Sequence, residues 1–368
     1  MKDQKKILFV LEHFHPYIGG AEKLFILLSQ ALVKKGFQVT VVTSKYDKTL
    51  PLGDDLNGVK IIRVRCYNRF GFTFLSIPKI IKYARKCDII HTTTYNAALP
   101  AFVAAKISRK AVVVTFHELW GKLWDQLPFI SNVARFAFKN FEKLIANLPF
   151  DYFVAVSDFT KSKLIEGGID KDKVVRIYNG LDYRDHQIKN SASNIDFTFT
   201  YFGRLGISKG LDLLIPATSR FLEKHPNATL KLIIPTTPSG LYNQVLELVQ
   251  KYALKDKIQI LHSLPYEQLE QEVLASSCVV IPSYSEGFCF VAAETVGLGV
   301  PIISSGQGAL KETVTGKFII MKDQSIGSLV DALERAYNNA WTSNPVKKFR
   351  MDDSIQEYLD FYARLLSN

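Results

Sequence analysis

Short apolar runs alternating with longer stretches of helical periodicity dominate the chain. Residues 7–11, 39–43, 59–64, 89–91, 112–116 and 152–156 are runs of strand length and strand composition. Between the first two, residues 21–35 place Leu24, Leu27, Leu28, Ala31 and Leu32 on one face, and Gly36 marks a stop. This alternation predicts a parallel sheet wrapped by helices. The pattern then restarts, with strands expected at 197–202, 230–234, 258–261, 278–281 and 301–304 and helices near 211–224, 239–252, 266–275 and 288–298. Between the halves, residues 182–196 (DYRDHQIKNSASNID) are rich in Ser, Asn and charge and suit a linker. The expected fold class is therefore α/β, with two doubly wound domains of similar size. Sheets of this kind bind ligands beyond the carboxyl ends of their strands, so a cleft between the domains is the expected ligand site. A last helix near 354–366 carries Ile355, Tyr358, Leu359, Phe361, Tyr362 and Leu366, and it must pack on something.

Composition narrows the class. The chain has 368 residues, 47% of them apolar, which supports two sizeable cores. Cys66, Cys87, Cys278 and Cys289 are scattered, with no C-x-x-C pair and no zinc spacing, so reduced thiols and a cytoplasmic setting are expected. The run 7–11 is too short for a signal-peptide core, and the most apolar later stretches are interrupted by Lys106 and Glu294, so no membrane span is expected. The net charge of +11 is uneven. Residues 1–185 carry 29 Lys and Arg against 17 Asp and Glu, whereas 186–368 carry 17 against 18. An anionic partner of the first half follows, and nucleic acid, an acidic membrane or a phosphorylated substrate all qualify.

The chemistry concentrates in a few turns. In Ser285-Glu286-Gly287-Phe288-Cys289-Phe290-Val291-Ala292-Ala293-Glu294, a strand, a turn and a helix start follow one another. Backbone N–H groups of 287–290 at a helix N-terminus suit an anion such as a diphosphate, with Glu286 at the rim of that site. Glu294 lies about 9 Å further at roughly 1.5 Å per residue, too far to share a proton with Glu286. Gly203-Arg204-Leu205-Gly206-Ile207-Ser208-Lys209-Gly210 also sits between a strand and a helix. Its Arg and Lys suit phosphate oxygens, or they are two solvated cations of a surface loop. It is not a P-loop, and no G-x-G-x-x-G opens the first domain. Gly19-Gly20 starts the first helix, and His117 ends a strand. Asp170-Lys171-Asp172 imitates a metal-binding D-x-D, but it lies in a connection where solvated charges are ordinary, so no metal is expected.

Taken in order, Gly19-Gly20-Ala21-Glu22, His117, Tyr178-Asn179-Gly180-Leu181-Asp182, Gly-Arg-(x)4-Lys-Gly, Pro282-Ser283 and Glu286-(x)7-Glu294, with Gly308 to Glu312 after Pro301, resemble the retaining glycosyltransferase family 4. The resemblance implies the GT-B fold, in which two Rossmann-like domains face a central cleft and the C-terminal helix crosses back to the first domain. It implies domains at 1–185 for the acceptor, 186–350 for the nucleotide-sugar and 351–368 for the returning helix. A hexose or N-acetylhexosamine would pass from a nucleotide-diphosphate sugar to a hydroxyl acceptor with retention, by same-face displacement and without cofactor or metal. Arg204 and Lys209 would bind the diphosphate, Glu286 the donor sugar and Glu294 the ribose. Gly203, Gly287, Phe288, Cys289 and Phe290 would line the donor site; Gly19 and Gly20 would lie near diphosphate and acceptor, and His117 would reach the sugar. Cys289 and Phe290 stand where the family often has smaller or aliphatic residues, and the loop after Glu312 is short. The alternatives are a nucleotide-sugar epimerase of the same architecture and a non-catalytic protein that binds nucleotide-sugar.

The basic half adds an acceptor hypothesis. Residues 129–148 place Ile130, Val133, Ala137, Phe141, Leu144 and Leu148 on one helix face and Arg135, Lys139 and Lys143 in a stripe, while 69–86 mix Phe70, Phe72 and Phe74 with cations. Aromatics beside cations suit an anionic membrane, and with it a lipid-linked glycan acceptor and a peripheral place on the inner face of the cell membrane. The other reading packs the apolar face on the domain and leaves the cations solvated. No nucleic-acid motif accompanies the charge, so no specific nucleic-acid partner is expected.

Overall fold

The computed structural model describes residues 4–17, 19–66, 68–183 and 196–367. Its contacts divide it into one unit of Met1–Gly121, Phe136–Gly180 and Phe349–Asn368 and another of Lys122–Arg135 and Leu181–Lys348. The change of unit thus falls between Gly180 and Leu181, while the expected linker lies almost wholly outside the described residues.

In the first unit, β1 (Lys6–Leu11), β2 (Gln38–Ser44), β3 (Gly53–Leu56), β4 (Val59–Val64), β5 (Ile89–Thr93), β6 (Ala111–Phe116), β7 (Tyr152–Ala155) and β8 (Val174–Arg176) form one sheet in the order β3-β4-β2-β1-β5-β6-β7-β8. Only β3 with β4 pairs antiparallel. The helices are α1 (Gly20–Lys34), α2 (Arg69–Leu75), α3 (Ile77–Ala84), α4 (Ala98–Ser108), α5 (Asn132–Ala146), which belongs to this unit from Phe136 onward, and α6 (Asp158–Glu166). Alternate strand residues serve two cores, Leu8, Val10, Ile90 and Val114 on one face and Ile7, Phe9, Val41 and Val113 on the other. Both faces are covered, which is why these strands read as continuous apolar runs.

The second unit carries β9 (Thr198–Phe202), β10 (Thr229–Ile233), β11 (Ile258–Leu261), β12 (Cys278–Ile281), β13 (Ile302–Ser304), β14 (Lys317–Ile320) and β15 (Thr342–Ser343) in the order β11-β10-β9-β12-β13-β14-β15. Its helices are α7 (Leu211–Lys224), α8 (Ser239–Lys251), α9 (Tyr266–Leu274), α10 (Phe290–Gly297), α11 (Leu310–Thr313) and α12 (Ile326–Tyr337). The order reverses between β9 and β12, and in the first sheet between β1 and β5. Connections leave in opposite directions there, which opens a crevice at the strands' carboxyl ends.

The last helix, α13 (Met351–Ser367), belongs to the first unit. Tyr358, Phe361 and Tyr362 are buried with Phe9 and Phe25. The chain reaches it by passing Gly180, where an added Cβ would stand 2.4 Å from Met351 Cα, and Ser354 Oγ donates to the Tyr178 carbonyl at 2.6 Å. The Tyr178-Asn179-Gly180 stretch is therefore a packing motif at this crossing. Beneath it, Tyr362 OH bonds His91 Nδ1, and His91 Nε2 bonds Thr115 Oγ1 at 2.7 Å.

The packing of the first half departs from its apolar periodicity in two places. Of the α5 residues read as one apolar face, which left both a membrane-facing and a packed reading open, Val133 is 81% and Leu144 49% exposed, whereas Glu142 is only 3% exposed. Its carboxylate is turned inward to accept N–H groups from Trp120, at 2.9 Å, and Gly121, at 2.7 Å, so polar anchoring overrides apolar periodicity. The first connection also depends on a buried cation that periodicity did not reveal. Arg63 on β4 donates to the carbonyls of His15 and Pro51 and pairs with Asp54, fixing the loop after β1.

Burial, helped by the neighbouring His117, pushes the His91 pKa down to about 3, so the imidazole is neutral in the folded protein at neutral pH. On unfolding it regains an ordinary value near 6.5. Between those values the unfolded chain binds the extra proton, so acidification from about pH 6.5 downward removes stability at up to about 1.4 kcal/mol per pH unit. His91→Gln is expected to flatten this part of the stability–pH profile in chemical denaturation. Superimposable slopes for the two proteins would refute the assignment.

Candidate active site

Two loops leaving the switch point of the second sheet are joined so closely that each fixes the other. The loop after β9 begins at Gly203, with φ +132°, and ends at Gly210, with φ +72°. A Cβ on Gly210 would lie 2.2 Å from the Pro282 carbonyl oxygen, so only glycine admits the contact. Tyr284 N–H donates to Ser208 O at 2.7 Å, and Tyr284 OH donates to Asp212 Oδ2 at 2.7 Å. Burial raises the Asp212 pKa, although the tyrosine bond opposes this. A third loop closes the other side. Ala309 N–H donates to Glu286 O at 2.8 Å, and Gly308, with φ +64°, leaves no room for a Cβ beside Glu286 N and O. Ser305 Oγ and Gln324 Nε2 both donate to the Ser283 carbonyl.

Between these loops lies an ion pair. Lys209 Nζ stands 2.8 Å from Glu286 Oε1 and 2.9 Å from Oε2, and Ser283 Oγ donates to Oε1 at 2.7 Å. Glu286 is 6% exposed, so it is not at a rim as the sequence suggested: it lies beneath Lys209, whose side chain is 27% exposed. A buried carboxylate needs its charge matched and its lone pairs bonded; the ammonium matches the charge, and with the serine hydroxyl it supplies bonds to both oxygens while leaving Oε2 room to accept another. Lys209 is correspondingly held in place by Glu286.

The next turn begins α10. Cys289 precedes it with φ +70°, a left-handed conformation that disfavours a side chain. Its thiol is buried, and burial together with the Glu286 charge pushes its pKa far up, so it is not a thiolate nucleophile at neutral pH. The first helical bond runs from Ala293 N–H to Cys289 O at 3.2 Å, so the preceding first-turn N–H groups lie before the i→i−4 ladder. Gly203 packs against this turn: an added Cβ would come within 3.2 Å of Val291 Cγ2. Phe288 meets Phe290 edge-on at 5.2 Å. Glu294 is half-buried on the less buried side of α10, and Arg204 is exposed. The structure thus brings Gly203, Lys209, Glu286 and residues 287–290 together. After Glu312, α11 ends and Gly316, with φ +77°, turns the chain directly into β14.

Within the first unit, Gly19 is the N-cap of α1 in an extended conformation, with φ −172°. A Cβ there would be 2.1 Å from Glu22 Oε2, so the chain's own carboxylate folds over this helix N-terminus. Gly20 follows as the first helical residue. His117 directly follows β6, half-buried, and its ring makes a T-shaped pair with Phe25 of α1 at 6.5 Å. The loop beyond it is held by Glu142, which also accepts from Tyr95 OH at 3.2 Å. Asp170 Oδ1 caps its own turn by accepting the Asp172 N–H. The roles of Glu142, Ser283, Asp212–Tyr284 and Gly308 were missed from the sequence, because each depends on a partner at least one element away or on the fold of a loop. The Pro282-Ser283 pair and the Gly-rich 306–308 turn were the available signals.

Comparison with known proteins gives the same answer from both halves. Residues 18–185 match the model of Glycosyltransferase Family 4 and residues 183–351 that of Glycosyl transferases group 1. The chain is 26% identical over 341 residues to a component of the human phosphatidylinositol N-acetylglucosaminyltransferase, spanning 90% of this chain and 68% of the relative. It is 26% identical over 334 residues, 83% of each chain, to the GDP-mannose:cellobiosyl-diphosphopolyprenol alpha-mannosyltransferase of Xanthomonas oryzae. Among solved structures, sucrose-phosphate synthase from Thermosynechococcus elongatus superposes with a TM-score of 0.82 at 21% identity over 99% of both chains. Anabaena HepE in complex with UDP and glucose follows with a TM-score of 0.70 at 18% identity, covering 98% of this chain and all of that one. With two Rossmann-like α/β units, each matched by its own family model, the chain belongs to the GT-B glycosyltransferases of family 4.

Proposed function

We propose that the protein moves a hexose or N-acetylhexosamine from a nucleotide-diphosphate sugar to a hydroxyl of a lipid-linked or glycan acceptor, with retention of anomeric configuration. The observation that carries this reading is the Lys209–Glu286 pair held between three loops beside the first turn of α10. In the transfer, the anomeric carbon–oxygen bond to the diphosphate breaks and the acceptor oxygen bonds to that carbon from the same face. The acceptor proton passes to the departing phosphate oxygen. Most of the barrier comes from charge developing on the diphosphate, which preorganised cations and N–H groups lower. Lys209 supplies a fixed cation for this, the exposed Arg204 a planar fork, and the N–H groups at the start of α10 a partial positive charge.

The carboxylates then hold hydroxyls. Glu286, already neutralised by Lys209, accepts from the donor sugar without driving the diphosphate away, and Glu294 accepts from the ribose. Gly203, Gly287, Phe288, Cys289 and Phe290 line the donor, and their close packing sets its fit. His117 serves the donor sugar. Gly19 and Gly20 serve acceptor hydroxyls better than phosphate, because the Glu22 carboxylate over that turn repels an anion. A lipid-linked acceptor is supported by the two relatives, whose names specify a phosphatidylinositol and a diphosphopolyprenol acceptor. It places the protein peripherally at a cytoplasmic membrane face; among the described residues no helix is long and apolar enough to cross one. No cofactor or metal takes part in this reading.

Removing Lys209 alone strands a buried carboxylate, at a cost of about 3 kcal/mol, the low end of the range because the ammonium is partly solvated. Lys209→Ala should therefore lower both turnover, by about 100-fold or more, and the melting temperature. The double variant Lys209→Ala with Glu286→Gln should recover most of the melting temperature and none of the turnover. Turnover returning together with stability would show that Lys209 serves only the fold.

Donor choice and metal dependence are separable tests. In a thermal-shift panel of UDP-, GDP- and ADP-sugars, one nucleotide series should raise the melting temperature in proportion to its affinity. A flat panel at millimolar donor would count against a donor site. With that donor, activity should persist in excess chelator, and a loss that magnesium restores would reverse the metal-independent reading.

A further inference from the structure

The first unit exposes aromatic side chains where an ordinary water-facing surface would bury them. On α2, Phe70, Phe74 and Leu75 are 50%, 67% and 51% exposed, and on α5, Phe136 is 72% exposed. The Phe70 ring stacks on Phe138 of α5, with centroids 6.4 Å apart and planes 11° apart, which joins the two helices into one surface. The helices that carry and adjoin these rings expose charge of one sign. Lys79 and Lys82 on α3 and Lys143 on α5 are exposed, and the helices α2, α3 and α5 carry no acid but the buried Glu142, the exposed Asp88 and Asp125 lying in the connections outside them.

We infer that the outward faces of α2 and α5 form a docking surface for an anionic lipid bilayer, with the phenylalanines entering the headgroup–acyl boundary and the lysines meeting lipid phosphates. Aromatic and aliphatic tips among cations match that boundary, where apolar area and negative surface potential coincide. A second copy of the chain fits poorly, because a two-fold contact would set lysines of one sign against each other. The inference stands without the proposed reaction, but it bears on it. Arg69 of α2 pairs with Glu12 at the end of β1, at 3.1 Å, and Glu142 of α5 holds the loop after His117. Each docking helix is thereby tied to a connection that carries predicted site residues.

The test is co-sedimentation of the full chain with vesicles of neutral phosphatidylcholine and with vesicles containing about one third phosphatidylglycerol. Binding to the anionic vesicles should exceed binding to the neutral ones by about tenfold or more, and half-molar salt should abolish the difference. Lys79→Glu with Lys82→Glu should weaken it by about fivefold or more for each charge. Phe74→Ser with Phe136→Ser should weaken it by about tenfold, with the melting temperature unchanged because both rings are exposed. Equal binding to the two vesicle types, binding to neither, or undiminished binding by both variants would overturn the inference. So would a wild-type dimer that the phenylalanine variant dissociates, which would assign the surface to a second copy.

Discussion

The contact between Lys209 and Glu286 is the constraint from which the geometry of the second unit follows. A carboxylate that is 6% exposed cannot be left unmatched, and its two oxygens are occupied by one ammonium and one hydroxyl. Meeting that demand requires the β9 and β12 loops to approach closely, which the glycine at 210 permits, and the 305–309 loop to close behind Glu286, which the glycine at 308 permits. The close packing therefore follows from an electrostatic need. Buried ion pairs add little net stability, so the worth of this one lies in position: it holds a cation still beside a helix N-terminus.

Preorganisation of this kind suits departure of a diphosphate better than attack by a side chain. The thiol of the cluster, Cys289 Sγ, is buried beside a carboxylate, and both factors keep it protonated. The left-handed backbone at Cys289 gives the first turn of α10 its direction, and strained conformations of this sort persist where surrounding contacts over-determine them. Here those contacts are the pairing of Lys209 with Glu286 and the packing of Gly203 on Val291.

Much of this was legible in the sequence, and the failures have physical causes. Long buried elements announced themselves: the 211–224 helix coincides with α7, and the central strands of both sheets lie where continuous apolar runs placed them. Edge and short elements such as β3, β8, β14 and β15 did not, because they bury too few side chains to leave a period. Spacing located the glycines, Lys209 and Glu286, but it could not say that the last two are bonded, since 77 residues separate them. Apolar periodicity left the packing of α5 open because it counts Glu142 as a solvent residue.

Glu142 and Glu286 are instances of one device. Glu142 sits within α5 and Glu286 in the loop after β12, and each fixes irregular chain by accepting from it: from Trp120, Gly121 and Tyr95 in one case, from Lys209 and Ser283 in the other. A loop without secondary structure loses about 1–2 kcal/mol of backbone entropy per residue when it is fixed. A neutral hydrogen bond returns only about 1 kcal/mol, and bonds to a charged acceptor return more. Carboxylates are therefore the efficient anchors for irregular chain. The anchor also ties two elements together: the acceptor of two N–H bonds in the loop after His117 is carried on α5, so the position of that loop is set by the position of the helix.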